Sequence, residues 1–500
     1  MSEDAERPED QRAQRLAKLD DMRAAGVDPY PVRFDRTRTL AEFRDHYDGR
    51  LATGDELDTP ESVAGRILLI RRQGKLTFAT VRDGTGSVQL FVSDDALGEE
   101  EHARFDHLDL GDWVGVTGHP MKTKRGELSV KVTAFTLLSK ALRPLPDKWH
   151  GLADIDTRFR QRYVDLIAND DARRVFEIRF AAVAAIRRFL TERGFVEVET
   201  PVLHAIAGGG AAEPFITHHN ALDIDLNLRI ALELPLKRLL VAGFEKVFEI
   251  GRVFRNEGLG WRWQPEFTML ELYEAFVDYT EMMALTEEMV ADAARAAIGG
   301  TTVEIDGQTI ELAPPWERRT MIELIREHAG VDVHPAMPIE KLEQICDDLG
   351  VARDKGADPG KLVLEIYEKT VEPNLVGPIF VMDYPRDVSP LARTHRDDPA
   401  LVERFEPVVR GMELGNAFSE LNDPVDQRER FEAQAELAAK GDVEAHGFDH
   451  DYVRALEYGL PPCGGLGVGI DRLTMLLAGV TTIREVILFP HLRPEADSGD

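Results

Sequence analysis

The chain has 500 residues, 43% hydrophobic and 30% charged, with a net charge of −30 at pH 7; this is ordinary globular composition for two or three domains and shows no bias toward disorder or repeats. Its two cysteines, Cys346 and Cys463, form no CxxC pair, which argues against zinc or a disulfide framework and suits a reducing cytosol. The charged amino terminus lacks the apolar centre of a signal peptide and no segment approaches the roughly 18 apolar residues of a membrane span, so a soluble, cytoplasmic protein is expected.

Leu16, Leu19, Met22 and Ala25 recur at helical spacing before Gly26, predicting a helix over 11–25 ahead of the proline-rich DPYPVRF. Residues 1–60 are read as a helical extension. Strands are predicted at 64–71, 75–82, 87–93, 112–119 and 127–138, with a turn at DGTG (83–86) and a helix-compatible stretch at 94–107. Five strands with a helix before the fourth suit an OB-type β-barrel over 61–143. Charge is unevenly placed: residues 66–148 hold 13 Lys and Arg against 11 Asp and Glu, whereas 151–500 hold 37 against 63. A polyanion would approach the barrel only.

ALRPLPDKWHG (141–151) reads as extended, because proline disfavours helix at itself and at its predecessor, and places a linker at 144–156. In the domain that follows, 157–500, a helix over 177–193 stops at Gly194 and FVEVETP forms a strand ending at Pro201. Further strands are predicted near 227–234, 246–255, 265–275, 378–382, 405–420 and 463–470. Helices are predicted at 235–243, 279–298, 319–328, 339–349, 360–370, 424–439, 450–457 and 471–477, with a helical insertion at about 316–372. Strands mixed with helices without strict alternation favour an α+β fold, an antiparallel sheet flanked by helices.

Three segments carry candidate chemistry. In FRNEG, Arg255 and Glu257 continue the parity of Val253, while Phe267, Met269, Glu271 and Tyr273 share one strand face. An ion pair at a strand end is the plain reading; an arginine clamp on phosphate with Phe267 under a purine is the functional one. In FEPVVRGMELGNAFSEL, Asn416, Phe418 and Glu420 share a face, and Glu406 and Glu413 differ in parity, so a bulge, placed at Gly411, is needed to bring them together. Carboxylates on so apolar a strand are either paired or bind a cation, and magnesium shared with triphosphate oxygens fits hard oxygen ligands. In CGGLGVGIDRL, glycines at 465, 467 and 469 precede Arg472. The pattern is neither a GxGxxG fingerprint nor a P-loop, but bare backbone, a helix start and an arginine suit a polyphosphate. No HExxH, GxSxG, SxxK or Cys/His cluster is present.

FVEVETP, FRNEG with PEFTMLELY, and GLGVGIDRL together resemble the three signature motifs of class II aminoacyl-tRNA synthetases. PFITHHNALD, LRIALELPLKRLL, SPLARTHRDDP, ELGNAFSELNDPVDQRERF and LEYGLPPCGGLGVGIDRL narrow the resemblance to bacterial class II lysyl-tRNA synthetases, and GKLTFATVRDG matches that family's anticodon-binding barrel. The resemblance implies ATP-dependent activation of lysine and transfer to tRNA(Lys) by a homodimer with Mg2+. It implies that Arg255 and Arg472 hold phosphates and act in catalysis, that Glu257, Trp263 and Phe267 place ATP, and that Glu406 and Glu413 hold metal. By the same resemblance Glu233, Glu271, Tyr273, Asn416, Phe418 and Glu420 form the lysine pocket, and Phe78, Gln89 and Arg71 or Arg72 hold the anticodon. Charged hydrogen bonds of roughly 1.5–3 kcal/mol each would give that pocket its selectivity. The chain departs from the family at Glu213, Asn227, Pro235, Trp263, Gln264 and Met412. Two other readings are a paralogue that activates lysine for a non-tRNA acceptor and a weakened, RNA-binding regulatory relative.

Overall fold

Alternation of buried and half-exposed residues closes the first unit into a barrel. In this computed structural model, residues 8–146, 152, 154–206, 208–210, 212–353, 356–439 and 448–495 are described, and the chain divides into units Met1–Ala153 and Asp154–Asp500. Strands β1 (Glu61–Arg72), β2 (Leu76–Arg82), β3 (Ser87–Ser93), β4 (Trp113–Lys122) and β5 (Leu128–Ser139) close in the order β1-β2-β3-β5-β4. Val63, Ile67, Val81, Leu90, Val116 and Val130 point inward, and each such side chain contributes about 1.5–3 kcal/mol on burial. The turn at 83–86 is held by Asp83 Oδ1, which accepts from the Thr85 and Gly86 amides. The single helix expected at 94–107 is two, Asp94–Leu97 and Glu99–Asp106, because Gly98 breaks it at a φ of 93°. Helix α1 (Pro8–Ala24) stands where the amino-terminal helix was expected. Of the expected linker, residues 147–151 and 153 include its centre and lie outside the described residues, other than Leu152.

The second unit is built on one large sheet. Its strands are β6 (Val196–Glu197), β7 (Lys246–Phe254), β8 (Glu266–Ala275), β9 (Glu317–Thr320), β10 (Ile379–Met382), β11 (Arg404–Val409), β12 (Met412–Glu413), β13 (Gly415–Ser419) and β14 (Cys463–Gly469). The order is β9-β10-β11-β13-β14-β8-β7-β6, with β12 on β11. All pairings among β10, β11, β13, β14, β8 and β7 are antiparallel, as the α+β reading expects. Leu270, Leu272, Leu466, Val468 and Ala417 face a core against helices α2 (Asp170–Glu192) and α4 (Tyr279–Ile298). Helix α2 begins seven residues before the expected 177, because Asn169 caps it by accepting from the Asp171 and Ala172 amides. Gly194, at a φ of 84°, follows its end as expected.

The strand expected at 227–234 is a correction. It runs Ile224–Leu228 in a small three-stranded sheet, and Glu233 instead opens helix α3 (Glu233–Val241). Helices Met321–Ala329, Ile339–Leu349 and Pro359–Thr370 occupy the region expected as an insertion.

Candidate active site

The face of the sheet opposite the α2–α4 core is a hollow of about 400 Å³. Its floor is β14, and three alternate positions there, Gly465, Gly467 and Gly469, carry no side chain. Gly465 pairs with Tyr273 on one side and Phe418 on the other; Gly467 pairs with Glu271 and Asn416. The walls are therefore the odd residues of β8 (Phe267, Met269, Glu271, Tyr273) and the even ones of the β13 segment (Asn416, Phe418, Glu420). A Cβ at Gly465 would overlap the Glu420 carboxylate and the Tyr273 ring, so glycine is required for space rather than for backbone freedom.

Arg255, Glu257, Trp263, Glu413, Arg472 and Glu233 also line the hollow. Arg255 and Glu257 reach it differently from the parity expected, since β7 ends at Phe254 and the Glu257 amide donates back to Arg255 O at 2.8 Å in a tight turn. The Arg255 guanidinium sits 5.3 Å from the centre of the Phe267 ring. Across the hollow, Arg472 donates to both the carbonyl (2.7 Å) and the carboxylate (3.1 Å) of Glu413.

Glu406 is the exception among the predicted residues of this unit, because it does not line the hollow. It lies behind Arg404, which donates to Glu406 Oε1 at 2.6 Å and to Asn416 Oδ1 at 2.8 Å. Burial and then the charge of Glu413 push its carboxyl up to about 7. Glu406 and Glu413 do come to one face, and the change of parity is made at Gly411, by a hairpin turn rather than a bulge. Arg410 and Gly411, with φ of 54° and 57°, form the two-residue hairpin turn between β11 and β12. A second change follows, which brings Glu413 to the face of Asn416, Phe418 and Glu420. Phe405 pairs with Ala417 and Val408 with Glu413, so two residues of β11 face three of the other strand and the bulge falls at 414–416.

The lysine-like end of the hollow holds a group that was not expected. Lys237 of α3 is completely buried, with Nζ 2.5 Å from Glu233 Oε1, in contact with Glu420 Oε2 and 5.2 Å from the centre of the Phe418 ring. Burial opposes its charge, but Glu233 and Glu420 hold its pKa well above the ordinary value. Beside it, Glu271 accepts from the Leu232 amide (2.8 Å) and the Tyr273 hydroxyl (3.1 Å). Burial and the charge of Glu233 push the Glu271 carboxyl up to about 8.

Two other residues are missing from the sequence reading. Asp471, buried, accepts from the Thr268 amide at 2.7 Å and from Arg179 at 2.6 Å, tying α2, β8 and the helix Ile470–Ala478 together below Arg472. Arg262 donates to Gly411 O at 2.8 Å and so fastens the loop carrying Trp263 to the hairpin. Of the unusual residues, Met412 packs in the core facing away from the hollow, Glu213 is exposed, and Gln264 accepts from the His491 amide at 3.0 Å.

In the barrel, Phe78 belongs to the outward-facing set of β2, not to the core, and packs edge-on to Phe91 at 5.6 Å between ring centres. Arg71 pairs with it across β1 and is exposed. Arg72 is held down by Asp106 O (2.6 Å) and Leu108 O (3.2 Å). Gln89, on the same outer face, accepts from Ser129 Oγ at 3.0 Å.

The family described as tRNA synthetases class II (D, K and N) matches residues 154–493, and OB-fold nucleic acid binding domains match residues 61–138. Among similar proteins, one of Moorella thermoacetica named lysine–tRNA ligase is 52% identical over 489 residues, covering 98% of this chain and 99% of its own length. Another of that name, from Pelotomaculum thermopropionicum, is 51% identical over 484 residues, covering 96% and 94%. A third, from Bacillus cereus, is 49% identical over 491 residues, covering 98% of each.

Proposed function

The chain belongs to the class II tRNA synthetases of the D, K and N group, and from that premise we propose that it is a lysine–tRNA ligase. Its substrates are ATP, lysine and tRNA(Lys). The observation that carries this is the pairing of an anionic end of the hollow, Glu233 and Glu420 with the carboxyl of Glu271 beside them, with a cationic end, Arg255 and Arg472. An amino acid with a cationic side chain fits the first and a triphosphate the second.

In the first step a carboxylate oxygen of lysine attacks the α-phosphorus of ATP and pyrophosphate leaves. The chain's part is positioning and charge stabilisation: Arg255 and Arg472 on phosphate oxygens, Phe267 beneath the base, Trp263 and Glu257 at the mouth. Asn416 and Tyr273 orient the amino acid over the glycine floor. In the second step a terminal ribose hydroxyl of tRNA attacks the acyl carbon and AMP leaves, with no protein nucleophile. Strong rejection of neutral analogues follows because they would leave a buried carboxylate unpaired.

Glu406 and Glu413 suit a magnesium ion: burial and like charge raise the Glu406 carboxyl, and a cation would relieve both. Among the described residues no group of three His, Cys, Asp or Glu side chains is arranged for a metal, so phosphate oxygens and water would complete the shell, which is how magnesium usually binds. When bound, the ion neutralises triphosphate charge. On the barrel, Phe78 stacks an anticodon base, Gln89 reads its edge and Arg71 meets phosphate; Arg72, already bound to two carbonyls, is the weaker of the two arginines considered.

A homodimer is part of this reading. Phe180 on α2 is 58% exposed, and Ile216, 69%, and Leu222, 64%, are exposed at the small sheet, an apolar surface that a second copy would cover. Sedimentation at the mass of a single chain would contradict it. The function is tested by ATP–pyrophosphate exchange and tRNA charging with each of the twenty amino acids. Lysine alone should support both, and exchange driven by aspartate or asparagine would overturn the assignment. Among the described residues no helix is long and apolar enough to cross a membrane.

A further inference from the structure

We propose that Lys237 is a resident counter-ion that specifies the substrate: it neutralises one of the two carboxylates Glu233 and Glu420, so that this end of the hollow is left with one charge to be matched by a single ammonium group of the substrate. The inference rests on the lysine-ligase reading for its substrate and on the structure alone for its charge pairing.

Glu420 divides its two oxygens. Both are buried without a hydrogen-bond partner; Oε2 is ion-paired with Lys237, whereas Oε1 lies against Gly465 on the floor of the hollow and has no ion pair either. An unpartnered buried carboxylate oxygen on a bare backbone floor is an acceptor waiting for a donor. Lys237 is not replaceable by its neighbour: Arg238 turns outward to Asp449 at 3.1 Å and is 32% exposed in its side chain. The aromatic rings of Phe418 and Tyr273 lie 5.2 and 5.9 Å from the Lys237 ammonium, and the buried Tyr452 encloses the same end.

The charges then sum simply. Burial raises the Glu420 carboxyl well above its ordinary value and Lys237 is the charge that opposes this; with both carboxylates ionised, one ammonium leaves a single formal negative charge, and Glu271, pushed up to about 8, adds none near pH 7. Without Lys237 two like charges would share a dry site, and one would take up a proton and lose its strength as an acceptor. Lys237 does not touch the reacting atoms; it acts through Glu420 and is a positioning residue.

The test uses the full chain. Lys237→Met keeps the length of the stem and removes the charge; it should raise the KM for lysine in ATP–pyrophosphate exchange at least tenfold and leave the KM for ATP within twofold. Adding Glu233→Gln restores the charge balance, and the double variant should recover at least threefold of the lost lysine KM and part of the lost melting temperature. An unchanged lysine KM in the single variant, a joint rise for lysine and ATP, or a double variant no better than the single would overturn the proposal. If the wild-type chain fails to exchange with lysine, the ligase reading falls. The melting temperatures of the three proteins, which need no substrate, then still decide the counter-ion: partial recovery in the double variant supports it and no recovery refutes it.

Discussion

In the hollow over β14, Phe418 and Tyr273 enclose a cation that no water reaches; on the barrel, Phe78 lies half-buried against Phe91 with the exposed Arg71 across the strand. Both sites pair aromatic rings with charge, but at opposite levels of burial. Around Lys237 each ion is desolvated and must be matched, so a mismatch is costly. On the barrel, stacking contributes in small steps and charge is screened by salt. Amino-acid choice therefore rests on a few large terms, and tRNA choice on several modest ones.

The sharpest way to break this contrast is Glu420→Gln, which removes one partner of a buried pair. It should lower kcat/KM for lysine by a hundredfold or more, matching the roughly 3–5 kcal/mol of such losses, with little change in the KM for ATP. Equal damage to both substrates would assign Glu420 to general stability. Phe78→Ala comes next: charging efficiency with tRNA should fall by about 1–3 kcal/mol in free energy while pyrophosphate exchange stays as it was, and a loss of exchange would dissolve the division between the two sites. The third prediction concerns pH and is the smallest only per pH unit. The folded chain keeps a proton on Glu271 up to about 8, whereas the ordinary value is 4.5, so the unfolded chain releases it first. Stability from this group is complete below about 4.5 and is lost as pH rises to about 8. Glu271→Gln should flatten that decline by at most about 1.4 kcal/mol per pH unit, read by urea unfolding across the window; an unaltered slope would show that Glu271 is not desolvated as described.

Much of this was legible from residue order. The alternation in PEFTMLELY and in the glycines of GLGVGIDRL put the correct side chains on the hollow, because strand parity survives wherever pairing is regular. It failed where pairing is not regular. The bulge at 414–416 has no glycine–asparagine turn to announce it, whereas Gly411 did mark the change of parity between Glu406 and Glu413, made there by a hairpin turn instead of a bulge. Glu233 was placed on a strand because LRIALEL is apolar apart from Arg229 and Glu233 itself, a pattern that a buried helix start shares with a strand. Lys237 passed unnoticed, since a lysine beside an arginine in a helix ordinarily reads as a solvated face. Its signal was present: an acid four residues earlier, in a helix whose other faces are leucine. Arg404 was hidden in the same way, its partners Glu406 and Asn416 being supplied by two different strands.

The bulge at 414–416 makes chain length here more critical than side-chain identity. Loss of one codon in that stretch would leave the chain too short to keep both the register of Met412–Glu413 on β11 and that of Gly415–Ser419 on β14. A side chain at Gly415 would also fail, since its Cβ would run into the Gly467 carbonyl, but the shortest in-frame deletion would disarm the whole stretch.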